Sequence, residues 1–314
     1  MPKTKPPVVT ELVLPYVPPF DWPGMLAFFR GHEMTGIEAV GDSAYTRVFR
    51  LGRTTGHLTV THTPETHALA VRIVADGPVP EDVVIRRIRR MFALDADPAS
   101  VGASFGKHRV MGPLWTAYPG LRPAAGWDAF ENGIATILGQ LVSVKRAKEL
   151  VRQLVAAYGE PVATPGTGEP AYLFPAPGIL AAADLAPLGT TRMRKATVRE
   201  FSRRVAAGEL DLAALDVVAT KAALLTIPGI GPWSSEYIAM RALAHHDSFP
   251  GADLILKRAL DLHPRLDLAK LGPWRSYAAV LFWRHYAPSS FEAPEKDPGK
   301  SRPSARQSAS KRPA

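Results

Sequence analysis

The sequence predicts an α+β fold: an N-terminal antiparallel sheet with helices, followed by a mainly α-helical region. Three observations carry that expectation. Short runs of β-branched and aromatic residues, broken by Gly, Pro and Asp, fill the stretch from Val8 to Ala75. From Trp127 onward the apolar period lengthens to that of helices and stays there. With 314 residues, the chain is long enough for two domains or one large one around a hydrophobic core.

The strands are expected at residues 8–17, 45–51, 57–63 and 68–74. A helix near residues 23–30 interrupts them, with Pro23 in its first turn. Residues 80–94 are amphipathic: Val84, Ile85, Ile88, Met91 and Phe92 share one face, and Arg86, Arg87, Arg89 and Arg90 form an exposed one. This first domain is drawn as 8–106, and a helical region as 107–286. There, Asp128 and Glu131 have the spacing of a capping box ahead of the stripe Phe130, Ile134, Leu138 and Leu141. Gly139-Gln140-Leu141 breaks the stripe, and Ser143 can cap a second helix that runs to Tyr158 and stops at Gly159. Residues 160–177 read as a loop, and further helices are expected near 178–186, 192–207, 217–225, 233–244, 254–262 and 274–286. Residues 287–314, rich in Pro, Ser, Lys and Arg, are expected to be a disordered basic tail.

Composition narrows the function. A net charge of +9 and a pI near 9.8 favour a polyanionic partner. The absence of cysteine excludes disulfides, thiolate zinc sites, cysteine-ligated clusters and cysteine nucleophiles. The first residues lack the apolar core of a secretory signal, and no apolar run approaches the roughly 18 residues that cross a bilayer. A cytoplasmic location is therefore expected. His57, His62 and His67 fall on both faces of their strands, so they read as solvated histidines and no metal site is expected.

Two segments carry chemistry. In Leu224-Leu225-Thr226-Ile227-Pro228-Gly229-Ile230-Gly231-Pro232-Trp233 a helix ends, turns and restarts. Gly229 and Gly231 let the backbone offer successive N–H groups at a helix N-terminus, which suits a phosphate oxygen; a tight corner without a ligand has the same composition. Asp253, about twenty residues on, reads by itself as the N-cap of the next helix.

Taken together, the two segments resemble the helix-hairpin-helix DNA glycosylase superfamily, with the hairpin at 219–243. Further matches narrow the resemblance to the DNA-3-methyladenine glycosylase II family: Pro19-Phe20-Asp21-Trp22, Asp128-Ala129-Phe130-Glu131, Ile137-Leu138-Gly139-Gln140-Leu141-Val142-Ser143-Val144 and Pro273-Trp274-Arg275-Ser276-Tyr277-Ala278. The resemblance implies a monofunctional glycosylase that flips alkylated purines, such as 3-methyladenine, out of duplex DNA. It implies Asp253 as the catalytic carboxylate, stabilising an oxocarbenium-like sugar by about 4 kcal/mol at ~4 Å and an effective dielectric near 20. It places Trp233, Tyr237, Trp283 and Phe28 at the base pocket, where a cationic base over an indole gains roughly 0.5–2 kcal/mol. It makes Leu141 the wedge beside Gln140, and Gly229 and Gly231 the backbone grip. Trp233 stands where lyase relatives carry a lysine nucleophile, so no Schiff base can form.

Two departures from the family pattern, Ala252 and Leu254, leave base selectivity open. Trp274 and Trp283 are nine apart, which would put them on opposite sides of one helix, unable to share a core. Duplex DNA with alkylated bases is the expected partner, bound by a nucleoid-associated monomer with no cofactor. The competing readings are a glycosylase for oxidised or deaminated bases, and a non-catalytic DNA-binding protein that uses the hairpin alone. The second needs neither Asp253 nor the two tryptophans.

Overall fold

A computed structural model describes residues 6–162, 171–213 and 216–288. The tail expected at 287–314 lies outside them except for its first two residues.

The first region is a five-stranded antiparallel sheet in the order β1-β5-β4-β3-β2, built from β1 (Val8–Pro15), β2 (Glu38–Val40), β3 (Ala44–Leu51), β4 (Thr54–Thr63) and β5 (Ala68–Ala75). Alternation sets its register: Leu58 and Val60 of β4, with Leu69, Val71 and Ile73 of β5, turn inward against α1 (Trp22–Gly31) and α2 (Glu81–Met91). Asp21 caps α1 and Pro23 sits in its first turn.

Helices follow: α3 (Pro98–Phe105), α4 (Met111–Ala117), α5 (Ala129–Gly139) and α6 (Val144–Tyr158). A small hairpin, β6 (Glu160–Val162) and β7 (Ala171–Leu173), precedes α7 (Pro177–Ala182), α8 (Arg192–Ala206), α9 (Val217–Leu225), α10 (Pro232–Arg241), α11 (Leu254–Leu262) and α12 (Arg275–Tyr286). They form two further cores. Ile134, Leu154, Phe201 and Ile238 gather α5, α6, α8 and α10 in one, while Phe105, Met111, Leu256 and Phe282 gather α3, α4, α11 and α12 in the other. The sheet's own cluster takes in Leu94, Ala124 and Trp127 but no residue of α3, which packs with the helices that come after it.

Several expectations need correction. The 160–177 loop contains β6 and β7, and α3, α4 and β2 had no signal: three-residue strands show no period, and the Pro-Ala-Ser-Val-Gly-Ala-Ser-Phe of α3 reads as a loop until Val101 and Phe105 are buried. The helix expected at 178–186 is only Pro177–Ala182. Asp128 does cap α5, accepting from the Phe130 and Glu131 amides, but the Glu131 carboxylate does not return to the cap. Instead it binds Arg47 of β3 at 2.9 Å, and Arg47 also reaches Glu38 at 3.2 Å. The buried Arg47 thus ties the sheet to the first helix of the second core, beneath Trp127 at 5.0 Å.

Of the supposed arginine face only Arg86 is exposed. Arg87 lies over Trp127, Arg89 pairs with Asp95, and Arg90 donates to the carbonyls of Gly126 and Trp127. His62 is not a solvated histidine: it bonds the Tyr16 hydroxyl and stacks on Trp22. His67 is not in a strand but in a left-handed position after a short 3₁₀ turn. Trp274 and Trp283 flank the same core after all, because Trp274 is the N-cap and stands outside the helical wheel.

Candidate active site

Helices α1, α5, α6, α10, α11 and α12 border a cavity of about 360 Å³. α1 supplies Phe28, α10 supplies Trp233, Tyr237 and Arg241, α12 supplies Trp283, and the N-cap of α11 supplies Asp253. The aromatic residues expected to share a pocket therefore do share one, together with the carboxylate.

Trp233 and Tyr237, one helical turn apart, stack at 5.1 Å and 20°. Tyr237 meets Trp283 edge to face at 6.1 Å. Asp253 is the N-cap read from sequence: Oδ1 accepts the amides of Ile255 at 2.9 Å and Leu256 at 3.2 Å. The same oxygen accepts the Trp283 indole N–H at 3.0 Å. With three donors on Oδ1, Oδ2 takes no protein donor among the described residues. A fixed carboxylate with one free oxygen at an aromatic cavity can face a cationic centre without first breaking a hydrogen bond.

The hairpin joins α9 to α10 beside this cavity. Gly229 has φ +91°, and a Cβ there would strike the Thr197 side chain, so the turn itself requires glycine. Gly231 is different: its φ is −102°, it caps α10, and a Cβ would meet nothing within 4 Å. Neither amide finds an acceptor among the described residues. Buried Ile227 and Ile230 anchor the turn in the second core, and Thr197 holds the Pro228 carbonyl at 2.8 Å.

Leu141 protrudes between α5 and α6, fully exposed and in the left-handed region at φ +54°. A leucine there costs about 1–2 kcal/mol and buries nothing, which no packing argument explains. Gln140 beside it is half-buried. Its amide donates to the Gly229 carbonyl at 2.9 Å and to Ser234 Oγ at 2.8 Å, so it buckles the exposed leucine to the hairpin. Arg194 of α8 holds the Gln140 carbonyl from the other side.

Sequence reasoning missed His32, Arg241 and Arg194. His32 stacks on Phe28 at 4.3 Å, and its Nδ1 bonds the Phe28 carbonyl at 2.9 Å. It lines the cavity as an exposed residue, and desolvation by the protein around it lowers its pKa to about 4 despite that carbonyl. Burial raises the pKa of the neighbouring Glu33 carboxyl. The only sequence signal for Arg241 is its place one turn beyond Tyr237 on the same helix face.

Comparison with known proteins settles the family. A model of the AlkA N-terminal domain family matches residues 11–128. DNA-3-methyladenine glycosylase 2 of Escherichia coli K12 is 33% identical over 279 residues, covering 86% of this chain and 95% of that protein. The chain belongs to the DNA-3-methyladenine glycosylase II family. It is, accordingly, a glycosylase, an N-glycosidic hydrolase. Solved structures agree with this glycosylase in fold. A 3-methyladenine DNA glycosylase from Archaeoglobus fulgidus superposes with a TM-score of 0.72 at 18% identity, covering 88% of this chain and 98% of that one. The 8-oxoguanine glycosylase/lyase of Clostridium acetobutylicum gives 0.65 at 15% identity, covering 90% and 99%.

Proposed function

We propose that this glycosylase flips alkylated purines, 3-methyladenine among them, out of duplex DNA and hydrolyses their N-glycosidic bond without lyase chemistry. The observation that carries the reading is Asp253, whose unpartnered Oδ2 lies at a cavity walled by Trp233, Tyr237, Trp283 and Phe28. As the C1′–N bond breaks, positive charge grows on the deoxyribose, and the carboxylate stabilises it there. The base stacks on Trp233 and Tyr237 while Leu141 fills the gap it leaves. Gly229 and Gly231 offer their amides to a backbone phosphate, and Gln140 couples that grip to the wedge. α10 begins Pro232-Trp233 where a lyase needs its lysine, so the product is an intact abasic site. The protein would act as a monomer, without a cofactor, on the nucleoid in the cytoplasm; no helix among the described residues is long and apolar enough to cross a membrane.

The test is base release from methylated duplex DNA, with the freed bases identified by chromatography and borohydride added in parallel. Free 3-methyladenine with no trapped adduct is expected. A turnover-dependent adduct would overturn monofunctional hydrolysis, and no release of any methylated base would overturn the substrate assignment.

A further inference from the structure

Lining the cavity is a buried charge that the aromatic reading did not include. Arg241 is 3% exposed. Its guanidinium carbon sits 4.2 Å from the Phe28 ring centroid, 5.4 Å from Trp283 and 5.7 Å from Tyr237. Nη1 donates to the Ala124 carbonyl at 2.7 Å, whereas Nε is buried with no partner. No ion pair among the described residues includes Arg241. An interior cation without a carboxylate is costly, and a fold keeps one where the charge has a use. Three of the four rings expected to greet a cationic base thus already face a cation, and only Trp233 has no such neighbour among the described residues.

We propose that Arg241 is a specificity-determining residue whose fixed positive charge at the base end of the pocket opposes binding of cationic lesions yet speeds cleavage of both cationic and neutral ones. The inference rests on the glycosylase reading above. The geometry is directional: the partly buried Asp253 holds the indole N–H at the edge of Trp283, and the buried Arg241 lies over the face of the same indole.

During cleavage the C1′–N bond breaks and its electron pair passes to the base nitrogen, while C1′ becomes positive. Water supplies the oxygen for the new C1′–O bond. Its proton goes to the departing anion when the base was neutral, and to solvent when the base was a cation. In both cases the base end gains one unit of negative charge and the sugar end one of positive charge. A cation at the base end and a carboxylate at the sugar end favour that displacement whatever the lesion's starting charge. Before cleavage the lesions differ. A methylated base carries a positive charge toward Arg241, a repulsion of roughly 10- to 50-fold in pocket occupancy at ~7 Å and an effective dielectric near 20. A neutral base feels no such penalty. His32, the other polar group stacked on Phe28, adds no second charge at neutral pH.

Single-turnover base release against enzyme concentration separates the two effects, with duplexes carrying 7-methylguanine as the cation and hypoxanthine as the neutral base. Arg241→Met should lower the maximal rate on both lesions by about tenfold or more. It should also lower the half-saturating concentration for 7-methylguanine several-fold without lowering that for hypoxanthine. Arg241→Lys should keep the wild-type pattern. Should Arg241→Met fail to fold by circular dichroism, Arg241→Gln tests the same arms. Half-saturation shifting the same way on both lesions would mean that Arg241 only shapes the pocket and would overturn the proposal, as would unchanged maximal rates. Asp253→Asn serves as the control: if it retained turnover, the glycosylase reading of the site would fail, independently of Arg241.

Discussion

Asp253 has two roles that one substitution can separate. As an N-cap it needs only an oxygen that accepts from the Ile255 and Leu256 amides, which asparagine also supplies. As an electrostatic group it needs its charge, worth about 4 kcal/mol toward a cationic sugar. Asp253→Asn is therefore expected to keep its melting temperature and duplex affinity while single-turnover base release falls on the order of 10³-fold. A variant that released bases at near wild-type rates would remove Asp253 from the chemistry. Trp283 also has two roles, as an aromatic wall and as the donor that holds Oδ1 in place. Trp283→Phe keeps a ring and removes the donor. Since hydrogen bonds to charged groups contribute about 1.5–3 kcal/mol, the rate should drop roughly 10- to 100-fold on cationic and neutral lesions alike. An unchanged rate would show that the two backbone amides suffice to hold the carboxylate.

At the scale of the element, the hairpin glycines are not equivalent, and paired substitutions should show it. Gly229→Ala forces a side chain into Thr197 at a left-handed φ and should cost stability, seen as a lower melting temperature. Gly231→Val places its Cβ in open space at an ordinary backbone φ, so its melting temperature should hold while affinity falls for damaged and undamaged duplexes alike. Loss confined to damaged duplex would argue against a phosphate grip at Gly231. Gln140 connects this turn to the loop bearing Leu141. In Gln140→Ala the wedge keeps its leucine but loses its link to the hairpin, so non-specific affinity should persist while base flipping weakens several-fold. Fluorescence of 2-aminopurine placed beside the lesion reports the flip, and a wild-type fluorescence change would mean that Arg194 alone positions the wedge.

Across the whole molecule, several histidines have their pKa lowered by desolvation, which ties stability to pH. His32 has its pKa lowered to about 4 from an ordinary 6.5, and burial moves His57, His62, His245 and His246 in the same direction. Between those two values the unfolded chain binds the proton that folded His32 refuses, so its contribution, modest because the ring is exposed, is present above about pH 6.5 and is lost as the pH falls toward 4. The urea midpoint of the wild type should thus be lower at pH 5 than at pH 7, and His32→Gln should show a smaller drop. Equal drops in the two proteins would show that His32 does not contribute. The same scale explains how the three cores hold one cavity: the sheet region is tied to α5 through the buried Arg47–Glu131 pair, while Arg241 of α10 binds the Ala124 carbonyl in the segment leading to α5.

What the sequence by itself determined follows from local physics. Strand alternation, Pro23 in the first turn of α1, the Asp128, Ser143 and Asp253 caps and the Pro-Gly-Ile-Gly turn each depend on residues a few positions apart, so they were legible before any fold was known. The family pattern added the gathering of Phe28, Trp233, Tyr237, Trp283 and Asp253, and the structure brings all five to one cavity. Only tertiary structure decided the rest. Glu131 left its capping box because the buried Arg47, 84 positions away, takes it as a second carboxylate partner beside Glu38. Three arginines of α2 turned from solvent to Trp127, Asp95 and two carbonyls for a similar reason. Gln140 proved to be a strut and Arg241 a buried cation, because a side chain's partners across the fold, and not its neighbours in sequence, set its hydrogen bonds and its dielectric.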